Sequence, residues 1–194
     1  MKRFFLLLLA VSIIVPSSKI AAQKKSYQNE NLIGAGISLG YYSYGFAGSR
    51  SMGVPPLSAY YEKGVHDYFT VGPFVGFARW SYSSSYAGDW KYSWTFINVG
   101  ARGSFHATGF LNDILGMEMD EEKIDWYLTL LLGMEFRNYK DDYGGHGGIH
   151  SNTSNFFIGP SAGVRYYVSD NFAIFAEGGR GALGALTFGV SLRR

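Results

Sequence analysis

The sequence predicts an all-β protein: eight antiparallel strands running up and down around a closed transmembrane barrel, with a short periplasmic helix between strands four and five. Three observations lead there. Apolar side chains alternate with small or polar ones through eight segments, the period at which a strand sends successive residues to opposite faces. Connections alternate between long stretches rich in Gly, Ser, Tyr and Asn and turns of about three residues, the habit of a barrel threaded through a bilayer. The face opposite the apolar one is dominated by Gly, Ser, Tyr and Phe, whereas a soluble sandwich would turn Lys, Glu and Thr to water there.

The chain opens on Lys2 and Arg3, the apolar run Phe4 to Val15, a breaker at Pro16 and small residues around Ala21 and Ala22. This is the order of a secretory signal, so residues 1–23 read as a signal peptide cleaved beside Gln23 and 24–194 as one barrel domain. The apolar run falls short of the roughly 17 to 25 residues that a membrane-spanning helix needs. Of the 194 residues 171 then remain, without cysteine, which excludes a disulfide scaffold and a Cys-ligated zinc site. All 26 glycines stay in that part, about 15 % against a usual ~7 %, while charged residues make up 16 % of the chain against a usual ~25 %. Lys2, Arg3 and Lys19 leave with the leader, so 17 basic residues fall to 14 against 15 acidic ones, and no general field for nucleic acid exists.

In order, Ile33 to Tyr42 sets Ile33, Ala35, Ile37, Leu39 and Tyr41 against Gly34, Gly36, Ser38, Gly40 and Tyr42. Leu57 to Val65 opposes Leu57, Ala59, Tyr61 and Val65 to Ser58, Tyr60, Glu62 and Gly64; after the turn His66-Asp67-Tyr68, Phe69 to Trp80 opposes Phe69, Val71, Val75 and Phe77 to Thr70, Gly72, Gly76 and Ala78. Trp94 to His106 sets Ile97, Val99, Ala101 and Phe105 against Asn98, Gly100, Arg102, Ser104 and His106. In Ile124 to Tyr139 the apolar set is Trp126, Leu128, Leu130, Leu132, Met134 and Phe136, against Tyr127, Thr129, Gly133, Glu135 and Arg137. Phe156 to Val168 and Phe172 to Gly179 hinge on Ser169-Asp170-Asn171, and Ala182 to Arg193 puts Leu186, Phe188, Val190 and Leu192 on one side. Between strands four and five, Phe110, Leu111, Ile114 and Leu115 fall at helical spacing and predict an amphipathic helix at the periplasmic interface.

Eight spans of about 9 to 11 residues use roughly 80 of the mature residues; sixteen would leave almost nothing for connections. Glu62, Arg102, Glu135, Arg165 and Glu177 all fall on the small-residue face. Turned to lipid, five such groups would cost on the order of 10 kcal/mol, as much as a domain's whole stability. They therefore point inward, where the expected pairs are Glu177 with Arg165 and Glu62 with Arg102, plugging an interior just wide enough for side chains. Aromatics at the strand ends, Phe69, Phe105, Trp126 and Phe172 at the turn end and Tyr41, Trp94 and Phe136 at the loop end, suit two interfacial girdles.

The run Gly163-Val164-Arg165-Tyr166-Tyr167-Val168, the hinge Ser169-Asp170-Asn171, then Phe175-Ala176-Glu177-Gly178-Gly179 and a last alternating strand resemble the closing hairpins of the small eight-stranded outer membrane β-barrels of Gram-negative bacteria, the group of the OmpA transmembrane domain and OmpX. A proline followed by Leu57-Ser58, and Glu62-Lys63-Gly64-Val65, is similar to that group's second strand. The likeness covers about residues 31 to 194. It departs at the end, where Leu192-Arg193-Arg194 stands in place of the usual closing aromatic. The resemblance implies the cell outer membrane as location, and the bilayer, lipopolysaccharide and the barrel assembly machinery as partners.

No cofactor and no metal is expected. His146 and His150, with Asp141 and Asp142, share a glycine-flanked loop, but four-residue spacing converges only on a helix. His150-Ser151-Asn152 is a faint match to lipid A deacylase barrels, and Gly34-Ala35-Gly36 lacks the helix a phosphate loop requires. Tyr82, Tyr86, Trp90, Tyr92, Tyr139 and Tyr143 make the loops fit for recognition. The sequence thus reads as a monomeric outer membrane barrel with a structural or surface-interaction role and no catalysis. A small pore or ligand-binding barrel, or an outer-leaflet lipid-modifying enzyme, are the alternatives.

Overall fold

Alternation becomes eight strands because each residue in them has one of two destinations. In the computed structural model, which describes residues 26–39, 54–84, 90–143 and 148–194, the strands are β1 (Asn31–Leu39), β2 (Val54–His66), β3 (Phe69–Ser84), β4 (Trp90–His106), β5 (Ile124–Tyr143), β6 (His150–Ser169), β7 (Phe172–Gly179) and β8 (Leu186–Arg193). One helix, α1 (Ala107–Leu115), lies between β4 and β5. Every strand pairs antiparallel with its neighbours in sequence, and β8 returns to β1 from Leu32↔Arg193 to Leu39↔Leu186, which closes the barrel. The leader falls outside the described residues.

The two faces separate into an apolar outside and an inside of small, polar and charged residues. Ile37, Leu57, Val75, Val99, Leu130, Ile158, Ile174 and Phe188, one from each strand, are exposed on the outside, while Glu62, Arg102, Glu135, Arg165 and Glu177 are buried inside. Leu130 is 46 % exposed and its neighbour Leu131 is 1 % exposed, so the same residue type goes either way by phase alone.

The interior glycines serve as space for rings on the next strand. Gly34 is the register partner of Tyr60, Gly163 of Tyr127 and Gly189 of Phe175. A Cβ at Gly34 would lie 2.3 Å from the Tyr60 ring, one at Gly163 2.4 Å from the Tyr127 ring, and one at Gly189 2.6 Å from the Phe175 ring. Small faces large across each pair, which lets a narrow lumen hold this many aromatics.

The short turns Asp67-Tyr68 and Asp170-Asn171, the helix and both ends of the described chain share one end of the barrel. At that end the Phe69 and Phe105 rings lie 5.0 Å apart on the outer face, as a girdle requires. At the other end Phe136 is exposed on the outside, but Trp94, expected in the girdle, falls in the inward phase of Phe96 and Asn98 and lies 4.5 Å from Tyr139 above the lumen. Tyr41 is outside the described residues. Helix α1 ends where Gly116 adopts φ 63°, and its N–H and that of Met117 turn back to Asn112 and Leu111 carbonyls.

Two boundaries differ from the sequence reading. Strands β3 to β6 run 16 to 20 residues and climb through what read as loops, pairing out to Ser84↔Trp90, Trp90↔Tyr143 and Lys140↔His150. Past the apolar belt both faces carry polar residues such as Ser81, Ser83, Lys91 and Asp141, so the hydropathy contrast that reveals a strand disappears. The last strand begins at Leu186 instead of Ala182. Gly179 at φ 139° breaks β7, and the following loop dips into the mouth of the barrel, burying Ala182 at 8 % and Leu183 at 1 %.

Candidate functional site

Inward-facing residues build three tiers across the lumen. At the turn end, His106 from the end of β4 places Nδ1 2.9 Å from Asp125 Oδ2 and Nε2 3.1 Å from Thr70 Oγ1. Arg165 donates from Nη1 to Asp125 at 2.6 Å and from Nη2 to the Tyr60 hydroxyl at 3.2 Å. The Tyr27 ring closes this tier from below, stacked on His106 at 3.6 Å.

In the middle tier Arg102 is the hub. Its Nε reaches Glu62 at 3.3 Å, its Nη2 reaches Glu177 at 2.8 Å and Thr129 at 3.2 Å, and the guanidinium lies 4.3 Å from the centre of the Tyr60 ring. Ser104 donates to Glu62 at 2.5 Å and Ser161 to Glu177 at 2.8 Å. Each carboxylate thus meets a cation and a hydroxyl, which buried charge demands.

The upper tier holds Glu135, 2.5 Å from Arg137 Nη2 and 3.4 Å from Asn98 Nδ2. Asn98 also donates to the Ala182 carbonyl, which fastens the inturned β7–β8 loop over the lumen. Phe74, Leu131, Phe157 and Phe175 join Tyr60 in the apolar packing of the lumen. Among the described residues a cavity of about 10 Å³ remains beside Tyr60, Arg102 and Glu177, room for about one water.

The five sequence-predicted charges therefore all enter the lumen, but one predicted pair is wrong. Glu177 meets Arg102, not Arg165. In the register of β6 and β7, Arg165 faces Phe175, and Glu177 faces Gly163, one inward step farther from the turn. At the depth of Arg165 the available carboxylate is its own register partner on β5, Asp125. Asp125 is missing from the sequence-predicted charges, although it lies two positions before Tyr127 in the same inward phase. His106 was placed on the inward face without a role. Tyr27 gave no signal, since it precedes every alternating segment.

Other sequence candidates disperse. His150 opens β6 opposite Lys140, and Asp141 accepts from the Tyr139 hydroxyl at 3.1 Å. His146 and the side chains of Asp142, Tyr82, Tyr86, Trp90 and Tyr143 lie outside what the structure describes. Among the described residues no three His, Asp or Glu side chains gather to hold a metal. Thr70, His106 and Asp125 do align as hydroxyl, imidazole and carboxylate, the order of a nucleophilic relay. All three are at most 1 % exposed, and Tyr27 covers the ring, so the hydroxyl has no open side for a substrate.

Tyr27 is held from outside the strands: its N–H donates to the Asp67 carbonyl at 3.1 Å, and Asn29 N–H to that of Gly64 at 3.2 Å. A Cβ at Gly64 would strike the Tyr27 carbonyl, so this strap needs glycine beneath it. Burial, then the carboxylate of Asp125, raises the Tyr27 phenol well above its ordinary range near 10. The unfolded chain would ionise this tyrosine near pH 10 while the folded chain keeps its proton, so stability present below that pH is lost as pH rises past it. In urea unfolding from lipid vesicles, Tyr27→Phe should keep the stacking yet lose stability less steeply than the parent between about pH 9 and 11. Equal slopes would show that Tyr27 ionises freely in the folded barrel.

No family model matches the chain. No curated protein matches it either. Among solved structures, Ail, the attachment invasion locus protein of Yersinia pestis, in complex with the heparin analogue sucrose octasulfate, is similar at a TM-score of 0.54 and 16 % identity, covering 86 % of this chain and 99 % of that one. Ail without the analogue gives 0.51 and 16 % over the same shares. The N-terminal β-barrel domain of Pseudomonas aeruginosa OprF gives 0.46 and 13 %, over 86 % of this chain and 98 % of that one. The chain shares with Ail the fold of a small, closed, eight-stranded up-and-down barrel.

Proposed function

We propose that this protein is a monomeric outer membrane barrel with a non-conducting lumen and a structural and surface-contact role, without catalysis. The observation that carries the reading is the ring of exposed apolar side chains on all eight strands around a lumen of paired charges. Water on that outer face would leave an apolar surface far beyond what soluble monomers expose. Hydrocarbon removes the penalty and leaves closure as the only way to satisfy the backbone. Phospholipid, lipopolysaccharide and the assembly machinery are the partners this placement requires.

The surface role is supported by the uneven height of the wall. β6 pairs with β7 only from Ser161 onward, and the Pro160 carbonyl still accepts from Arg180 N–H at 2.9 Å, so among the described residues its His150–Ile158 stretch is laddered to β5 alone. Such an edge can add an extended segment from another macromolecule. Three tiers of side chains and the inturned loop at Ala182 support a closed lumen. Purified protein that migrates differently before and after boiling should give no steady conductance when inserted in planar bilayers. Discrete channel openings from that folded band would overturn the closed-lumen reading.

A further inference from the structure

We infer that α1 is a foot seated in the lipid leaflet nearest the turn end, inserting Ile114 and Leu115 beside the barrel wall. The inference rests on the membrane placement proposed above and deepens it by assigning a lipid contact outside the strands.

The helix is fastened on one side and bare on the other. Thr108 Oγ1 accepts from the Trp126 N–H on β5 at 2.7 Å. Asn112 donates to the Met119 carbonyl at 2.8 Å and to Glu121 at 2.6 Å, and accepts from the Met119 N–H at 3.0 Å. Tyr68 donates to Asp113. These bonds hold the backbone and the return segment in one place. Phe110 and Ile114, four residues apart, lie on the face turned away from Thr108 and Asn112.

That face is continuous with the barrel's outer belt. The Phe110 ring meets Phe105 at 5.4 Å and Tyr68 at 5.9 Å, and Phe105 meets Phe69 at 5.0 Å. Beyond Phe110 the row continues into Ile114 at 63 % exposure, while Leu115 at 61 % and Met117 at 47 % are exposed where the helix ends. A helix whose last turn and end display Ile114, Leu115 and Met117 next to a lipid-facing girdle has one chemically matched neighbour, the boundary of headgroups and acyl chains. Of the acidic residues of the return segment, Glu118 and Glu122 are exposed to the side of the helix end. Glu121 is buried against Asn112, and Asp120 pairs with Lys123 at 3.2 Å, off the apolar row.

The chain has no cysteine, so single cysteines report without background. Ile114→Cys, Leu115→Cys, Glu122→Cys and Leu130→Cys would each be spin-labelled in the otherwise intact protein and reconstituted in phosphatidylcholine vesicles. Accessibility to oxygen, which partitions into lipid, is then compared with accessibility to a water-soluble nickel chelate. The ratio of oxygen to nickel accessibility at 114 and 115 should exceed that at 122 several-fold and fall on the side of 130. Water-like ratios at 114 and 115 with a lipid-like ratio at 130 would overturn the foot while sparing the belt. A water-like ratio at 130 would overturn both. Labels at 114 and 115 shielded from both reagents would mean that protein, such as a second copy, covers the helix, and would also overturn it.

Discussion

Replacing Arg102 by Met should destabilise the barrel by about 3–5 kcal/mol, the cost of stranding buried carboxylates without their cation. Arg102 is 5 % exposed and is the guanidinium within ion-pair range of both Glu62 and Glu177, which are 0 % and 4 % exposed. Met keeps the stem and loses the charge, so the loss is electrostatic rather than a cavity. Adding Glu62→Gln and Glu177→Gln should restore most of the stability, because neutral partners no longer need a cation. The midpoint of urea unfolding from vesicles measures each step. A double-mutant cycle should show strong coupling of Arg102 with Glu177 and little of Arg165 with Glu177, as the register dictates. Equal coupling of both pairs would contradict the tiered lumen.

Leu130→Arg should cost about 2–4 kcal/mol in the same vesicles, and Val168→Arg no more than about 1. Leu130 lies on β5 between the girdle residues Trp126 and Phe136, hence near mid-depth, whereas Val168 adjoins the Ser169 turn. Both are outward, at 46 % and 61 % exposure, so burial by protein cannot separate them. Only depth in hydrocarbon does. Identical small effects at the two sites would mean that the outer face meets water.

The phase of every strand was legible because the outer face and the lumen take different residues, apolar outside and small, polar or charged inside. Leu130 and Leu131 are identical side chains with opposite fates, and the phase set by Trp126, Leu128, Tyr127 and Thr129 tells them apart. The paired extensions above the belt were illegible for the converse reason. Ser81↔Ser93, in the outward phase, and Tyr92↔Asp141, in the inward one, are both polar and carry no contrast. The helix could be read, since Phe110 and Ile114 repeat at its own period.

By itself, then, the sequence determined which side of each strand faces outward, how many strands there are, and that five charges go inside. These are properties of a residue and its near neighbours, set by transfer free energy one position at a time. The tertiary structure decided who meets whom: Glu177 with Arg102, Arg165 with Asp125, Tyr27 against His106, and Ala182 folded into the mouth. Such partners lie up to 84 residues apart, as Asn98 and Ala182 do, and meet only once closure fixes the stagger between strands around the ring.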